Sequence, residues 1–416
     1  MKILIFGGSG KIGSAVAYDL AADPAIEDIG IAGRRREALE RVKQWIGSDK
    51  IRVHALDIDD RAGWTGLMRH YDAGALALPD RRTSYRAAEY AVTAGFNIVD
   101  MLEEYHRRPD PYEVEGLLLP DGMNFDAYGD WLHEQALQNG STFLDGMGFA
   151  PGLSNITLGQ GMREMDEPEI AIARVGGIPD KAAAQRHPLR YMITWEFDHV
   201  LREYVIRLKV IRNGQVVEVD AGCDHESFHF TQFGLNETLE CAVTPGMPSF
   251  IYSRPQLKEF AEKTVRWPGH WQGIYALREC GLLELEPAEF NGTRIVPRQF
   301  LSSLITPRLQ PQPGDTDVCV MYNTLIGKKN GKKVKVEYFM WDTADTVHGI
   351  SSMMRATGFT VAIAVRMLAG GKIKEKGIVP PEDGVYGPLY EEFIRELAKR
   401  NVNIRQVTTA VETQRT

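Results

Sequence analysis

The sequence predicts an α/β fold, a doubly wound parallel sheet, followed by an α+β unit with a mainly antiparallel sheet. Three observations predict it. Apolar runs of strand length alternate with helical periodicity over roughly the first 150 residues. The first run, Ile3-Leu4-Ile5-Phe6, breaks into glycines and passes at once into a helical pattern. After Pro151 the alternation ends, and Asn-Gly pairs sit between runs of period two.

In the first part, strands are expected near 2–6, 28–32, 51–56, 73–78, 97–101 and 142–145, with helices near 12–22, 36–46, 62–70, 83–94 and 127–139. Gly8, Gly10 and Gly13 have the G-x-G-x-x-G spacing of a dinucleotide-binding turn. Gly8 is expected to turn the chain out of the strand. Gly10 leaves room for a pyrophosphate, and Gly13 lets the helix lie close on the strand. The N–H groups at the helix start then face the phosphates, so Ser9, Lys11 and Ile12 join the cofactor-binding set.

About twenty residues on, an NAD site wants an acid for the ribose 2′-hydroxyl. This chain has Gly33, then Arg34, Arg35 and Arg36. Glycine leaves space and guanidinium groups hold a 2′-phosphate, so NADP(H) is the expected cofactor, with NAD(H) possible. The same run also reads as a solvated basic helix start. Asp57 and Ile58 end the third strand and are assigned to the adenine side, although Asp57 equally suits a plain loop. Leu78 and Pro79 end the fourth, on the nicotinamide side. Asp100 ends the fifth, where it either meets substrate or caps a helix. Residues 103–126, with Tyr105, His106, Pro109, Pro111, Tyr112 and Pro120, break the pattern and are expected to form a lid.

In the second part, Asn213-Gly214 separates Val205–Ile211 from Val216–Asp220, and Asn330-Gly331 separates Cys319–Ile326 from Lys333–Met340. Both read as hairpins. A further strand is expected near 169–175, and helices near 255–263, 270–281 and 297–306. Residues 346–369 read as one long apolar helix ending at Gly370-Gly371.

The chain has 416 residues, 44% hydrophobic and 25% charged, enough for two domains. A net charge of −8 argues against nucleic acid or an anionic membrane as partner. No apolar run has membrane-spanning length, and the N-terminus lacks signal-peptide organisation. Cys223, Cys241, Cys280 and Cys319 form no C-x-x-C pair, so a reducing, cytoplasmic location and no Cys-bound metal are expected.

Three segments beyond the first strands carry chemistry. In Asp145-Gly146-Met147-Gly148-Phe149-Ala150-Pro151, Gly148 and Pro151 allow close backbone approach to nicotinamide, while Ser154 or Asn155 can cap the next helix. In Arg266-Trp267-Pro268-Gly269-His270, an arginine for a carboxylate stands near a histidine for a proton, although His270 also suits a helix start. Tyr191 and Trp195 can wall a pocket or belong to plain core.

Taken in order, the glycine turn at 7–13, Ala94-Gly95 through Val99-Asp100, GMGFAPGLSN at 146–155, VGGIP at 175–179, PLRYMITW at 188–195, TVRWPGHW at 264–271 and the stretch 351–382 resemble the saccharopine dehydrogenase-like oxidoreductases. The resemblance implies a Rossmann domain over 1–150, completed by 345–416. It implies an α+β substrate-binding and dimerisation domain over 151–344, hence a homodimer. It also implies hydride transfer at a carbon bearing nitrogen, on an amino-acid-like small molecule, with no metal. Asp100 and His270 become the acid/base candidates and Arg266 the carboxylate anchor, with Asn155, Tyr191 and Trp195 beside the substrate. Two alternatives are NAD-dependent oxidative deamination of lysine and a non-enzymatic NADP(H) sensor. The Gly33-Arg34 pair resembles the NADP-using members, and the 103–126 stretch is longer than the family pattern.

Overall fold

The computed structural model describes residues 1–110, 117 and 119–411. Pro111 and Tyr112 of the expected lid lie outside the described residues. The chain divides into two units. The first comprises Met1–Glu164, Met247–Ser253 and Met354–Asn403; the second comprises Met165–Gly246, Arg254–Met353 and the chain from Ile404.

The first unit alternates as its apolar spacing predicts: β1 (Lys2–Phe6), α1 (Lys11–Ala22), β2 (Asp28–Gly33), α2 (Arg36–Ile46), β3 (Ile51–Ala55), α3 (Arg61–Met68), β4 (Ala73–Leu76), α4 (Arg81–Thr93), β5 (Ile98–Asp100), α5 (Phe125–Gln138), β6 (Thr142–Leu144) and α6 (Leu153–Arg163). Later segments add α9 (Phe250–Ser253), α12 (Thr360–Ala369), β17 (Gly377–Val379), α13 (Pro381–Gly384) and α14 (Pro388–Lys399). All seven strands are parallel, in the order β17-β6-β5-β4-β1-β2-β3. Ile3 to Phe6 are fully buried, as a central parallel strand covered on both faces requires. The strand order reverses between β1 and β4, so their carboxyl ends border the crevice where a doubly wound sheet binds its ligand.

The second unit holds a nine-stranded mixed sheet. Its strands are β7 (Glu167–Pro179), β8 (Arg207–Arg212), β9 (Gln215–Asp220), β10 (Glu226–Phe230), β11 (Glu237–Val243), β12 (Glu259–Arg266), β15 (Asp317–Lys329), β16 (Lys332–Thr343) and β18 (Arg405–Ala410). A separate short hairpin joins β13 (Ala288–Phe290) to β14 (Thr293–Ile295). Only β7 and β12 pair in parallel; every other pair is antiparallel. Asn213 and Asn330 have φ of 51° and 52°, followed by Gly214 and Gly331 at 76° and 71°. These left-handed pairs close the two hairpins that the Asn-Gly signals predict. The helices here are α7 (Lys181–Arg186), α8 (Phe197–Glu203), α10 (His270–Glu279) and α11 (Pro297–Leu309).

Four expectations need correction. Residues 259–266 form strand β12, not a helix over 255–263. The Glu259/Lys263 spacing imitates a helical ion pair, but here each finds another partner: Glu259 accepts from the Asn213 amide and buried Lys263 donates to the Asp224 carbonyl, while the neighbouring buried Glu262 accepts from Thr244 and Gly246. The long helix expected at 346–369 starts later, as a π turn over Met354–Phe359 that leads into α12. Gly358 in that turn lies so close to α1 that a Cβ would stand 2.7 Å from that of Ala15, which places the wide turn at a close helix–helix contact. The stretch 345–416 does not stay with the first unit, because β18 pairs antiparallel with β16 of the second sheet. Finally, Glu104, Tyr105 and His106 are buried within the first unit, so this part of 103–126 is core and not lid.

Candidate active site

At the end of β1, Gly7 turns the chain with φ +77°, and a Cβ there would sit 2.1 Å from the Ala77 carbonyl oxygen. The sharp turn thus falls one residue before the expected Gly8. Gly8 serves close approach instead, since its Cβ would stand 2.6 Å from that of Ile31. Gly7 and Gly8 both donate to the Ala32 carbonyl, at 2.9 and 3.1 Å. Gly13 touches Gly7 and Gly8 and brings α1 onto the strand.

Gly10 is different. A methyl group there would meet only the Gly7 carbonyl oxygen, at 3.4 Å. Gly10 caps α1 without a side-chain bond, and Gly10 and Lys11 are exposed with Ser9 and Ile12 half-buried beside them. At the end of β2, a methyl on Gly33 would meet only Ser9 Oγ at 3.8 Å and Leu39 at 3.9 Å. Arg34 and Arg35 are exposed there and carry no ion pair among the described residues, whereas Arg36 pairs with Glu40 at 3.6 Å. An open helix start, an open strand end and free guanidinium groups fit a nicotinamide dinucleotide. Leu78 lies 3.5 Å from the Cβ position of Gly7, so the fourth strand end joins this rim, and Pro79 follows it, exposed. Asp57 is exposed and closes its own loop, accepting from the Asp59 amide at 3.0 Å, with Ile58 half-buried next to it. A cavity of about 540 Å³ lined by Arg61, Tyr71, Asp72 and Asn97 opens at the opposite, amino ends of β4 and β5 and is not part of this rim.

Gly148 and Pro151 are buried. The Gly148 amide donates to the Pro151 carbonyl at 2.8 Å, which shapes the turn into α6. Asn155 is fully buried. Its Oδ1 accepts from the Gly152 amide at 2.9 Å, and its Nδ2 donates to Glu382 Oε2 at 2.9 Å and Ser249 Oγ at 3.2 Å. Ser249 and Ser253 also donate to Glu382. Asn155 is therefore a brace for a buried carboxylate, not an open substrate contact.

Asp100 at the end of β5 is 1% exposed. It accepts from Ser84 Oγ at 2.9 Å and from the Leu102 amide at 2.6 Å, and does not cap a helix. Ser84 Oγ lies 3.3 Å from His106 Nε2. Asp145 grips His106 twice, at the amide (2.8 Å) and at Nδ1 (2.7 Å). Burial pushes the Asp100 carboxyl up to about 6. For His106, burial would depress the imidazole, but the Asp145 carboxylate outweighs it and raises the group to about 9. Asp100, His106 and Asp145 lie close enough to bind a cation, yet both ring nitrogens of His106 already have hydrogen-bond partners.

In the second unit, β12 presents Glu262, Thr264 and Arg266 along one face. Arg266 is 2% exposed. Its Nε and Nη2 donate to Tyr204 Oη at 3.2 and 3.1 Å, its Nη1 donates to the Val265 carbonyl at 3.0 Å, and it lies 5.2 Å over the Tyr191 ring. A guanidinium has five N–H groups, so two keep no protein acceptor among the described residues. Trp195 is half-buried, its ring 5.3 Å from that of His199.

His270, expected as an acid/base, is instead locked in the core. It is 1% exposed, with Nδ1 2.8 Å from the Leu189 carbonyl and Nε2 2.9 Å from Tyr204 Oη. The carbonyl requires a proton on Nδ1, so Nε2 accepts from the tyrosine. Burial first, and the Arg266 charge second, lower it to about 3. It stays neutral and orients Tyr204. Tyr204, Ser84 and Glu382 escaped the sequence reading, since each matters only through partners between 62 and 227 positions away or, for Ser84, on neighbouring elements. Asp145 carried a usable signal: like Asp100, it ends a predicted strand of the parallel sheet.

The Saccharopine dehydrogenase C-terminal domain matches residues 148–402, and the Saccharopine dehydrogenase NADP binding domain matches residues 3–118. The chain belongs to the saccharopine dehydrogenase family. It is 22% identical over 400 residues to carboxyaminopropylagmatine dehydrogenase of Synechocystis, with 92% of each chain covered. It is 22% identical over 419 residues to carboxynorspermidine synthase of Vibrio alginolyticus, again covering 92% of each. Its fold matches that of apo saccharopine dehydrogenase (L-Glu forming) from Saccharomyces cerevisiae, with a TM-score of 0.75, 19% identity, and 98% and 100% of the two chains covered. The chain is thus an oxidoreductase of the saccharopine dehydrogenase type, with a nicotinamide cofactor domain. Among the described residues, no helix is long and apolar enough to cross a membrane.

Proposed function

We propose that the protein is an NADP(H)-preferring oxidoreductase acting at a carbon–nitrogen bond of a carboxylate-bearing amine or its imine. The observation that carries the cofactor preference is the end of β2, where Gly33 leaves open space and Arg34 and Arg35 are exposed, without ion pairs among the described residues. An acid at this place would repel a 2′-phosphate; two guanidinium groups attract one. The cofactor supplies or accepts the hydride when bound. The chain's own residues do the rest. The turn at Gly7–Gly13 holds the diphosphate with backbone N–H groups. Arg266, kept in place by Tyr204 and Val265, offers two N–H groups to a substrate carboxylate. Asp100 is the acid/base candidate, because His270 is locked neutral.

The relatives named above support an amine-containing substrate, since their names refer to carboxyalkylated polyamines and their close analogues. A homodimer in the cytoplasm belongs to the same proposal; the four cysteines form no disulfide among the described residues.

Steady-state kinetics of the Arg34→Ala/Arg35→Ala variant test the preference. KM for NADPH should rise about tenfold or more, near 1.4 kcal/mol, while KM for NADH stays put. Equal changes for both cofactors, or a wild type that favours NADH, overturn it.

A further inference from the structure

We propose that Asp100 and His106 share one proton through the hydroxyl of Ser84, so that Ser84, His106 and Asp145 set the protonation state of Asp100 from behind. The proposal deepens the reading of Asp100 as the acid/base and rests on it for its catalytic meaning.

The geometry comes from separate elements of the first unit. Ser84 belongs to α4, Asp100 ends β5, His106 follows in the loop, and Asp145 follows β6. Their exposures are 0%, 1%, 0% and 1%, so water does not compete for these bonds. The double grip of Asp145 fixes the imidazole, and the rings of Tyr85 and Phe143 pack on it at 4.3 and 4.9 Å. Nε2 is left with Ser84 Oγ, and Ser84 Oγ faces Asp100 Oδ2.

One hydroxyl carries one proton, so the chain of bonds has two self-consistent arrangements. In the first, an imidazolium donates from Nε2 to Oγ and the hydroxyl donates to the Asp100 carboxylate. In the second, a protonated Asp100 donates to Oγ and the hydroxyl donates to a neutral imidazole. Passing from the first to the second breaks the Nε2–H bond and forms Oγ–H. The former Oγ–H bond breaks and Oδ2–H forms. Imidazolium and carboxylate become imidazole and carboxylic acid, and no other reactant is needed.

Opposing forces act on the two arrangements. Burial favours the neutral pair; the Asp145 carboxylate favours the imidazolium. Glu104 also faces the group, and its charge is compensated by Arg81 at 2.6 Å, with the Tyr85 hydroxyl at 3.0 Å. Tyr105, the remaining neighbour, has its hydroxyl pushed far up by burial and stays neutral. With Asp100 at about 6 and His106 at about 9, the imidazolium–carboxylate arrangement predominates at neutral pH and the neutral pair is its minor partner.

Nitrogen NMR on the full chain with ¹⁵N-labelled histidine tests this without substrate, with His106 assigned through His106→Asn. Between about pH 5 and 10, the His106 Nε2 signal should move in two steps, the lower one tracking Asp100. Ser84→Ala and Asp100→Asn should each abolish the lower step, and Ser84→Thr should keep it. A single step, identical in wild type and Ser84→Ala, overturns the shared proton. The pH profile of kcat separates the second claim. Its acidic limb should move by about one pH unit in Ser84→Ala and return in Ser84→Thr. Two NMR steps with an unmoved limb uphold the sharing and remove Asp100 from the chemistry.

Discussion

Arg266 shows how much one buried side chain depends on its neighbours. A guanidinium at 2% exposure is costly unless its donors are used. Three are used, by Tyr204 and the Val265 carbonyl, and His270 in turn holds the Tyr204 hydroxyl at 2.9 Å. Arg266→Ala should raise KM for a carboxylate-bearing substrate by about a hundredfold while lowering kcat far less, because a clamp of this kind binds ground and transition states alike. Initial-rate measurements on acidic and neutral substrate analogues check it. A loss confined to kcat would assign Arg266 to the chemical step instead. Arginine beside aromatics was readable in the sequence; that His270 serves the same arginine, and not a proton transfer, was not.

At the scale of elements, a buried polar cluster ties α6 to α13. Asn155 joins the Gly152 amide to Glu382 of α13, and Ser249 and Ser253 also donate to that carboxylate. Glycine at 159 is required by the same contact, since a Cβ there would stand 2.6 Å from that of Glu382. Asn155→Ala should therefore destabilise the protein by about 2 kcal/mol through the partly unsatisfied buried carboxylate. Thermal denaturation should show a lowered Tm with substrate KM unchanged. An unchanged Tm with a raised KM would restore Asn155 to the substrate site. The elements themselves follow their local signals closely where the pattern is strong. Six of the seven parallel strands and both Asn-Gly hairpins stand where period and turn chemistry place them; β17, which follows the apolar helix late in the chain, was not expected. Strand β12 failed because its charges find partners far along the chain, and local spacing cannot report that.

Over the whole molecule, pH acts through groups whose burial differs between folded and unfolded chains. His106 is raised from 6.5 to about 9, so its contribution is complete below pH 6.5 and lost as pH rises through 9. Glu262 is raised by burial from 4.5 to about 8, so the folded state holds a proton the unfolded chain has released, and this support also fades toward pH 8. Asp315 and Glu396 are both held at about 2, the burial cost outweighed by His187 and Arg186 in one case and by Lys399 and Arg400 in the other. Their contribution is present above the ordinary carboxylate range and is lost only as pH falls toward 2. Between pH 7 and 9 the raised groups act alone, so Tm should fall across that interval, and Glu262→Gln should flatten the fall. Scanning calorimetry at fixed ionic strength gives the answer, and a Tm that rises from pH 7 to 9 contradicts it.

The glycine turn, the arginines after β2, the parallel sheet and the two hairpins were legible in the residue order, because each rests on backbone geometry or side-chain chemistry within a few positions. The carboxylate brace at Glu382, the neutral His270, the burial of Asp100 behind Ser84 and His106, and the departure of β18 to the second sheet were decided only by folding. Their partners meet across tens to hundreds of positions, and desolvation, which sets their charge, does not exist until they do.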